Sequence, residues 1–175
     1  KKNSLKYNTK LVPIDSEHFS ISELIKNRKN EEIDKIYITA SGGPFLKTAK
    51  NKFKNIKPID AIKHPKWKMG KKISVDSATL MNKVLELTEA LKLFSFKINK
   101  FEIVIHPQSL IHAIVKFRNG TTYFLYHVPD MKIPISNALF DGNFNYYKYF
   151  KNTYKNNMIN QNLEFLPVDQ NKFTT

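Results

Sequence analysis

From Leu80 to Phe94 apolar residues recur at steps of three and four, at Leu80, Val84, Leu87, Leu91 and Phe94, which predicts an amphipathic helix. Its start is expected near Asp76, with Asp76 or Ser77 as the N-cap. Asn82, Lys83 and Glu86 fall on a different face of that helix. At about 100° per residue, Glu86 stands roughly 40° from Asn82 and one turn above it. Elsewhere the pattern predicts strands at 33–40 (IDKIYITA), 100–106 (KFEIVIH), 111–117 (IHAIVKF) and 121–128 (TTYFLYHV), the last two forming a hairpin through Asn119-Gly120. A short strand at 11–14 (LVPI) is expected to run into Asp15-Ser16-Glu17-His18 and a helix over FSISELIKN. Residues 46–71 show little periodicity, carry Pro58, Pro65 and Gly70, and read as a long excursion or lid. Residues 129–134 (PDMKIP) read as a strand break and the exit from the sheet, the sequence beyond them as irregular, and the final stretch, NLEFLPVDQNKFTT, as the start of something that never finishes.

With 175 residues at 41% hydrophobic, the chain can bury one good core, with a lid or subdomain besides. No apolar run approaches the ~18 residues that a membrane span needs, and the first ten residues lack a signal-peptide apolar region. The absence of cysteine excludes disulfides and thiolate metal sites, so a bound metal would have oxygen or imidazole ligands, as Mg²⁺ and Mn²⁺ prefer. The net charge of +14 raises nucleic acid as a partner. The lysines are scattered, arginines are few, and no basic stripe with interleaved aromatics stands outside the tail, so the reading is no nucleic acid and no membrane.

Several polar groups are candidates for chemistry, each with a bland alternative. Asp15 and Glu17, two apart on extended backbone, project to one side and could share a cation; they could equally complement a helix dipole, with Asp15 or Ser16 as the cap. Ser41-Gly-Gly-Pro44 follows a strand, where small residues let backbone N–H groups and a hydroxyl approach a phosphate, although turns everywhere use such residues. His64, Trp67 and Met69 could close over a polar substrate, or Trp67 could anchor the loop to the core. His106 and His112, six apart around a turn, specify no metal site and read by default as core or hydrogen-bonding histidines.

Taken together, PIDSEH, ASGGPF, KHPKWKMGKKISVDSATLMNK, EIVIHPQSLIH and PDMKIPI resemble the 1-deoxy-D-xylulose 5-phosphate reductoisomerases of the non-mevalonate isoprenoid pathway. The motifs stand in that family's order across residues 11 to 140, and the tail matches loosely. The resemblance implies an α+β catalytic domain at 1–140, a mixed sheet with helices on one face and a long lid loop at about 42–71; periodicity alone leaves α/β open. It implies Asp15, Glu17 and Glu86 as ligands of Mn²⁺ or Mg²⁺, with Co²⁺ a further option. It implies Ser41, Ser77, Asn82 and Lys83 as phosphate and substrate contacts, with Ser16 and His64 near the sugar oxygens. Glu17, His64, Lys83 and Glu86 would be catalytic, and Trp67 and Met69 would belong to the lid. Gly70 and Met131 would lie by the nicotinamide of NADPH, and His112 at the edge of the site.

The implied reaction rearranges and then reduces 1-deoxy-D-xylulose 5-phosphate to 2-C-methyl-D-erythritol 4-phosphate, in a homodimer located in a bacterial cytoplasm or a plastid or apicoplast stroma. The family places an NADPH-binding Rossmann domain before PIDSEH and a helical domain after residue 175. The chain therefore resembles the central portion of a longer polypeptide, with 141–175 as a connecting segment, and on its own it is expected to be inactive. Locally, Tyr126 and His127 stand where the family commonly has small residues. Two rival readings are a metal-dependent sugar-phosphate aldolase or isomerase that needs no nicotinamide, and a basic nucleic-acid-binding module.

Overall fold

The computed structural model describes residues 1–62, 70–150 and 162–173. Five strands form one mixed sheet in the order β4-β3-β1-β2-β5. They are β1 (Ile33–Ala40), β2 (Phe101–Ile105), β3 (Ile111–Phe117), β4 (Thr122–Tyr126) and β5 (Leu166–Pro167). The β1–β2 pair is parallel and the other three are antiparallel. A parallel pair needs a long crossover, and here, among the described residues, it runs through 3₁₀ turns at Lys50–Asn55 and Ile98–Lys100 and three helices. α1 (Lys2–Lys6) and α2 (Ser16–Leu24) precede the sheet; the crossover helices are α3 (Pro58–Ala61), α4 (Lys71–Ala78) and α5 (Met81–Phe94). After the hairpin come α6 (Lys132–Phe140) and α7 (Tyr146–Tyr149).

Alternation along β1 explains which face is covered. Ile36 and Ile38 point to the side where Ala113 and Val115 of β3 also point, and there they meet Ile21 of α2 with Leu87, Ala90 and Leu91 of α5. These residues form a core with Ile33, Phe96, Phe101 and Phe117. The opposite row, with Tyr37 beside Ile114 and Ile114 beside Phe124, ends at an exposed Phe124. The α+β arrangement with helices on one face is thus as expected from the sequence.

Four local expectations are corrected. No strand forms at 11–14; the segment is extended but has no partner strand, and Leu11 and Ile14 are half exposed. The predicted helix from Asp76 is two helices, because Leu80 adopts a left-handed conformation (φ 63°, ψ 6°) between α4 and α5. Ser77 therefore sits in the last turn of α4 and not at a helix start. The apolar period hides the break: Leu80 stays buried, packing with Ala40, Ile105 and Phe173, and its carbonyl accepts from the Lys83 and Val84 N–H groups. Residues 135–140, read as irregular, belong to α6 (Lys132–Phe140), which tolerates Pro134 because a proline in a first turn removes no helical hydrogen bond. The tail adds a short strand to the sheet: Leu166 pairs with Ile105, and Leu166, Val168 and Phe173 pack into the second apolar cluster.

Candidate metal and substrate site

At the C-terminal end of β1 a cleft of about 360 Å³ opens between the sheet and the α4–α5 break. Three chain features build its rim. The turn after β1 puts Gly42 and Gly43 at positive φ, and a Cβ on Gly43 would meet the Ser77 carbonyl oxygen at 2.6 Å, so only glycine lets this turn touch the end of α4. The Ser41 hydroxyl accepts the Gly43 N–H at 3.1 Å. The Leu80 kink then redirects the chain so that Asn82, Lys83 and Glu86 in the first turns of α5 look across at Asp15, Ser16 and Glu17 at the start of α2.

Eleven residues singled out from the sequence line this one cleft. Asp15, Ser16, Glu17, Asn82, Lys83 and Glu86 lie on one side; Ser41, Gly70, Ser77, His112 and Met131 complete the wall. His64 and Trp67, and the lid residue Met69 with them, lie outside the described residues. The sequence reading missed Thr39, Ala40, Ile73 and Ser109, which also line the cleft. Ser109 stood within HPQSLIH, where the two histidines drew the attention; it adopts φ 54° and buries its hydroxyl.

Asp15, Glu17 and Glu86 each offer a carboxylate oxygen within 4.8 Å of the others. The Lys83 ammonium lies between two of them, 2.6 Å from Glu17 Oε1 and 2.8 Å from Glu86 Oε2. Asn82 Nδ2 donates to Glu86 Oε1, and Ser16 Oγ donates to Glu17 Oε2. Lys83, Glu17 and Glu86 are all buried, so each charge depends on the others for solvation. Burial raises the Glu17 pKa, but Lys83 first and His112 next overcome it and hold Glu17 down at about 2. Burial and then the Glu17 charge push Glu86 up to about 8, with Lys83 offsetting them only in part. Burial alone would lower Lys83, yet both carboxylates raise it, so it stays cationic. One cation thus faces two carboxyls, one of which keeps a proton. The oxygen-only donor set suits a hard divalent cation.

His18, fully buried, fixes the geometry from behind. Its Nε2–H donates to the Glu86 carbonyl at 2.8 Å, while Nδ1 lies 3.1 Å from Asp15 Oδ2 and 3.9 Å from Glu89 Oε2. Burial pulls its pKa down, but Asp15 and the Glu86 carbonyl outweigh this and raise it to about 9. His18 therefore ties one predicted ligand to the backbone of another.

The 1-deoxy-D-xylulose 5-phosphate reductoisomerase C-terminal domain model matches residues 11–94. Across 99% of this chain, the Pelagibacter ubique protein named 1-deoxy-D-xylulose 5-phosphate reductoisomerase is 49% identical. The chain belongs to this reductoisomerase family. A Treponema denticola reductoisomerase is 56% identical over 74% of the chain. Among solved structures, a reductoisomerase in complex with NADPH, fosmidomycin and magnesium superposes with a TM-score of 0.82 at 35% identity over 99% of the chain. The Zymomonas mobilis reductoisomerase in complex with NADPH gives 0.81 at 33% identity, also over 99%. The chain spans 44% of the Pelagibacter protein, 34% of the Treponema protein and 44% of each of these two structures. Among the described residues no helix is long and apolar enough to cross a membrane.

Proposed function

We propose that this chain is the catalytic segment of an enzyme that converts 1-deoxy-D-xylulose 5-phosphate to 2-C-methyl-D-erythritol 4-phosphate with NADPH and Mn²⁺ or Mg²⁺. The observation that carries this reading is the convergence of Asp15, Glu17 and Glu86 in the same cleft as Ser41, Ser77 and Asn82. The three carboxylates would hold the metal, which supplies Lewis-acid polarisation of vicinal substrate oxygens. Ser41 and Ser77 hydroxyls and the Asn82 amide would take the phosphate dianion at the glycine turn. Lys83, cationic and already hydrogen-bonded to both glutamates, would turn its charge toward the substrate oxygens. Gly70 and Met131, at the N-termini of α4 and α6, would flank the nicotinamide. In the whole protein 1–140 would be the catalytic domain, with its lid at about 42–71, and 141–175 the connection onward. We place the assembly as a homodimer in a bacterial cytoplasm or an equivalent plastid compartment.

The test is NADPH oxidation by the full-length enzyme carrying this segment, with the ketose phosphate and Mn²⁺. Metal- and substrate-dependent oxidation is expected; consumption of the ketose phosphate with no NADPH oxidation would instead point to an aldolase or isomerase.

A further inference from the structure

His127 stands at the end of β4, where the resemblance leads one to expect a small residue, and nothing in the reaction scheme uses it. Its ring is buried and lies against that of His112, with centroids 3.9 Å apart and planes inclined by 18°. Phe19 of α2 approaches the His127 ring, its centroid 6.2 Å away. Backbone contacts lock residue 127: its N–H donates to the Leu110 carbonyl at 2.9 Å, and its Nδ1 lies 2.6 Å from the Val128 carbonyl oxygen. That contact puts the ring proton on Nδ1, and Nε2 is buried with no hydrogen-bond partner among the described residues. The His127 carbonyl in turn faces His112 Nε2 at 3.2 Å. Residue 127 thus holds His112 in two ways. Any amino acid would supply the carbonyl, but only a flat ring supplies the stack.

His112 is the member of this pair that lines the cleft; burial first and the neighbouring His127 next hold its pKa down at about 4, so the ring stands there as a neutral imidazole. A ring nearly parallel to it, 3.9 Å away between centroids, sets the plane in which the His112 imidazole lies. We infer that His127 is a positioning residue, whose ring fixes the orientation of the His112 imidazole in the wall of the substrate cleft.

The inference rests on the reductoisomerase reading, and its test separates the two. In the full-length enzyme, His127→Gly keeps the carbonyl and removes the ring, whereas His127→Phe keeps a ring without nitrogens. We expect His127→Gly to lower kcat about fivefold, the range of one aromatic contact, with KM for NADPH unchanged. His127→Phe should recover most of the loss. On a His112→Ala background His127→Gly should cost nothing further, because no ring remains to be placed. The His112 ring resonances, followed by NMR in the same variants, should move with His127→Gly whether or not the enzyme turns over. Unmoved His112 resonances, an undiminished kcat, or an equal loss on the His112→Ala background would each overturn the inference. An inactive wild type whose His112 resonances still shift would leave the stacking intact and overturn the functional reading alone.

Discussion

Helix α5 serves two regions buried to nearly the same degree and built on opposite principles. Toward the middle of the sheet its Leu87, Ala90 and Leu91 meet Ile36, Ile38, Ala113 and Val115, and no member of that cluster carries a polar side-chain atom. One turn earlier Lys83 and Glu86, at 7% and 6% exposure, carry ionisable groups into the fold. Burial of the first set is favourable by about 25 cal/mol per Å² of apolar surface. Burial of the second is costly unless every charge finds a partner; Glu86 finds Lys83 and Asn82 on its own helix, and Lys83 also reaches Glu17 of α2, 66 residues away in sequence. The same helix therefore stabilises the fold at one end and sets Lys83 between two carboxyls at the other.

The most severe effect is expected from replacing Lys83, whose ammonium lies between Glu17 and Glu86. Lys83→Met leaves Glu17 and Glu86 facing each other without a counter-charge. Turnover of the full-length enzyme should fall by about 10²–10³-fold. In urea without metal, the protein should lose about 3 kcal/mol, part of which saturating Mn²⁺ restores. A variant as stable and active as the wild type would mean that Lys83 is a bystander.

The apolar region should respond in the contrary sense. Ile38→Ala removes a fully buried side chain from the core and should cost about 3 kcal/mol in urea unfolding, while Mn²⁺ affinity of the folded protein stays within about twofold, since distant sites act additively. Equal losses of stability and metal affinity would show that the two regions are one.

A smaller effect is expected at their junction. Gly43→Ala forces a side chain into positive φ and against the Ser77 carbonyl, a strain of about 1–3 kcal/mol. If the glycine turn cradles the phosphate, KM for the ketose phosphate should rise more than kcat falls, and steady-state kinetics would separate the two.

The apolar region was largely legible in the sequence, because alternation and a 3.6-residue period are local signals: β1 and β3 stand at their predicted bounds. The exceptions have local causes too. Leu80 keeps the apolar period while its backbone turns left-handed, so two helices read as one. At two residues β5 is too short to alternate, and is defined only by its neighbour β2. The polar region was legible by another route. Spacing alone left Asp15 and Glu17 as helix-start carboxylates, and Glu86 as half of a surface ion pair with Lys83. Only the run of motifs resembling a known family joined them, and their mutual distances are a property of the fold. What no reading of the chain could supply is that Lys83 sits between Glu17 and Glu86, because that contact bridges 66 residues. Nor could it supply the stacking of His127 on His112, which joins two strands at a bulge in their pairing.

The central claim is that Asp15, Glu17 and Glu86 form one divalent-metal site, and the direct test is calorimetric titration of Mn²⁺ into the wild type and Glu86→Gln at pH 7 in two buffers of different ionisation enthalpy. Because the Glu86 pKa is raised from 4.5 to about 8, the metal-free protein holds a proton there at pH 7 that the cation must displace. The wild type should therefore release about one proton per Mn²⁺ bound, and its affinity should rise with pH until Glu86 is ionised. In Glu86→Gln that proton release should vanish and the affinity fall by about 10–100-fold. Unchanged affinity and unchanged proton release in the variant would contradict the claim, and would return Glu86 to the status of an ordinary buried partner of Lys83.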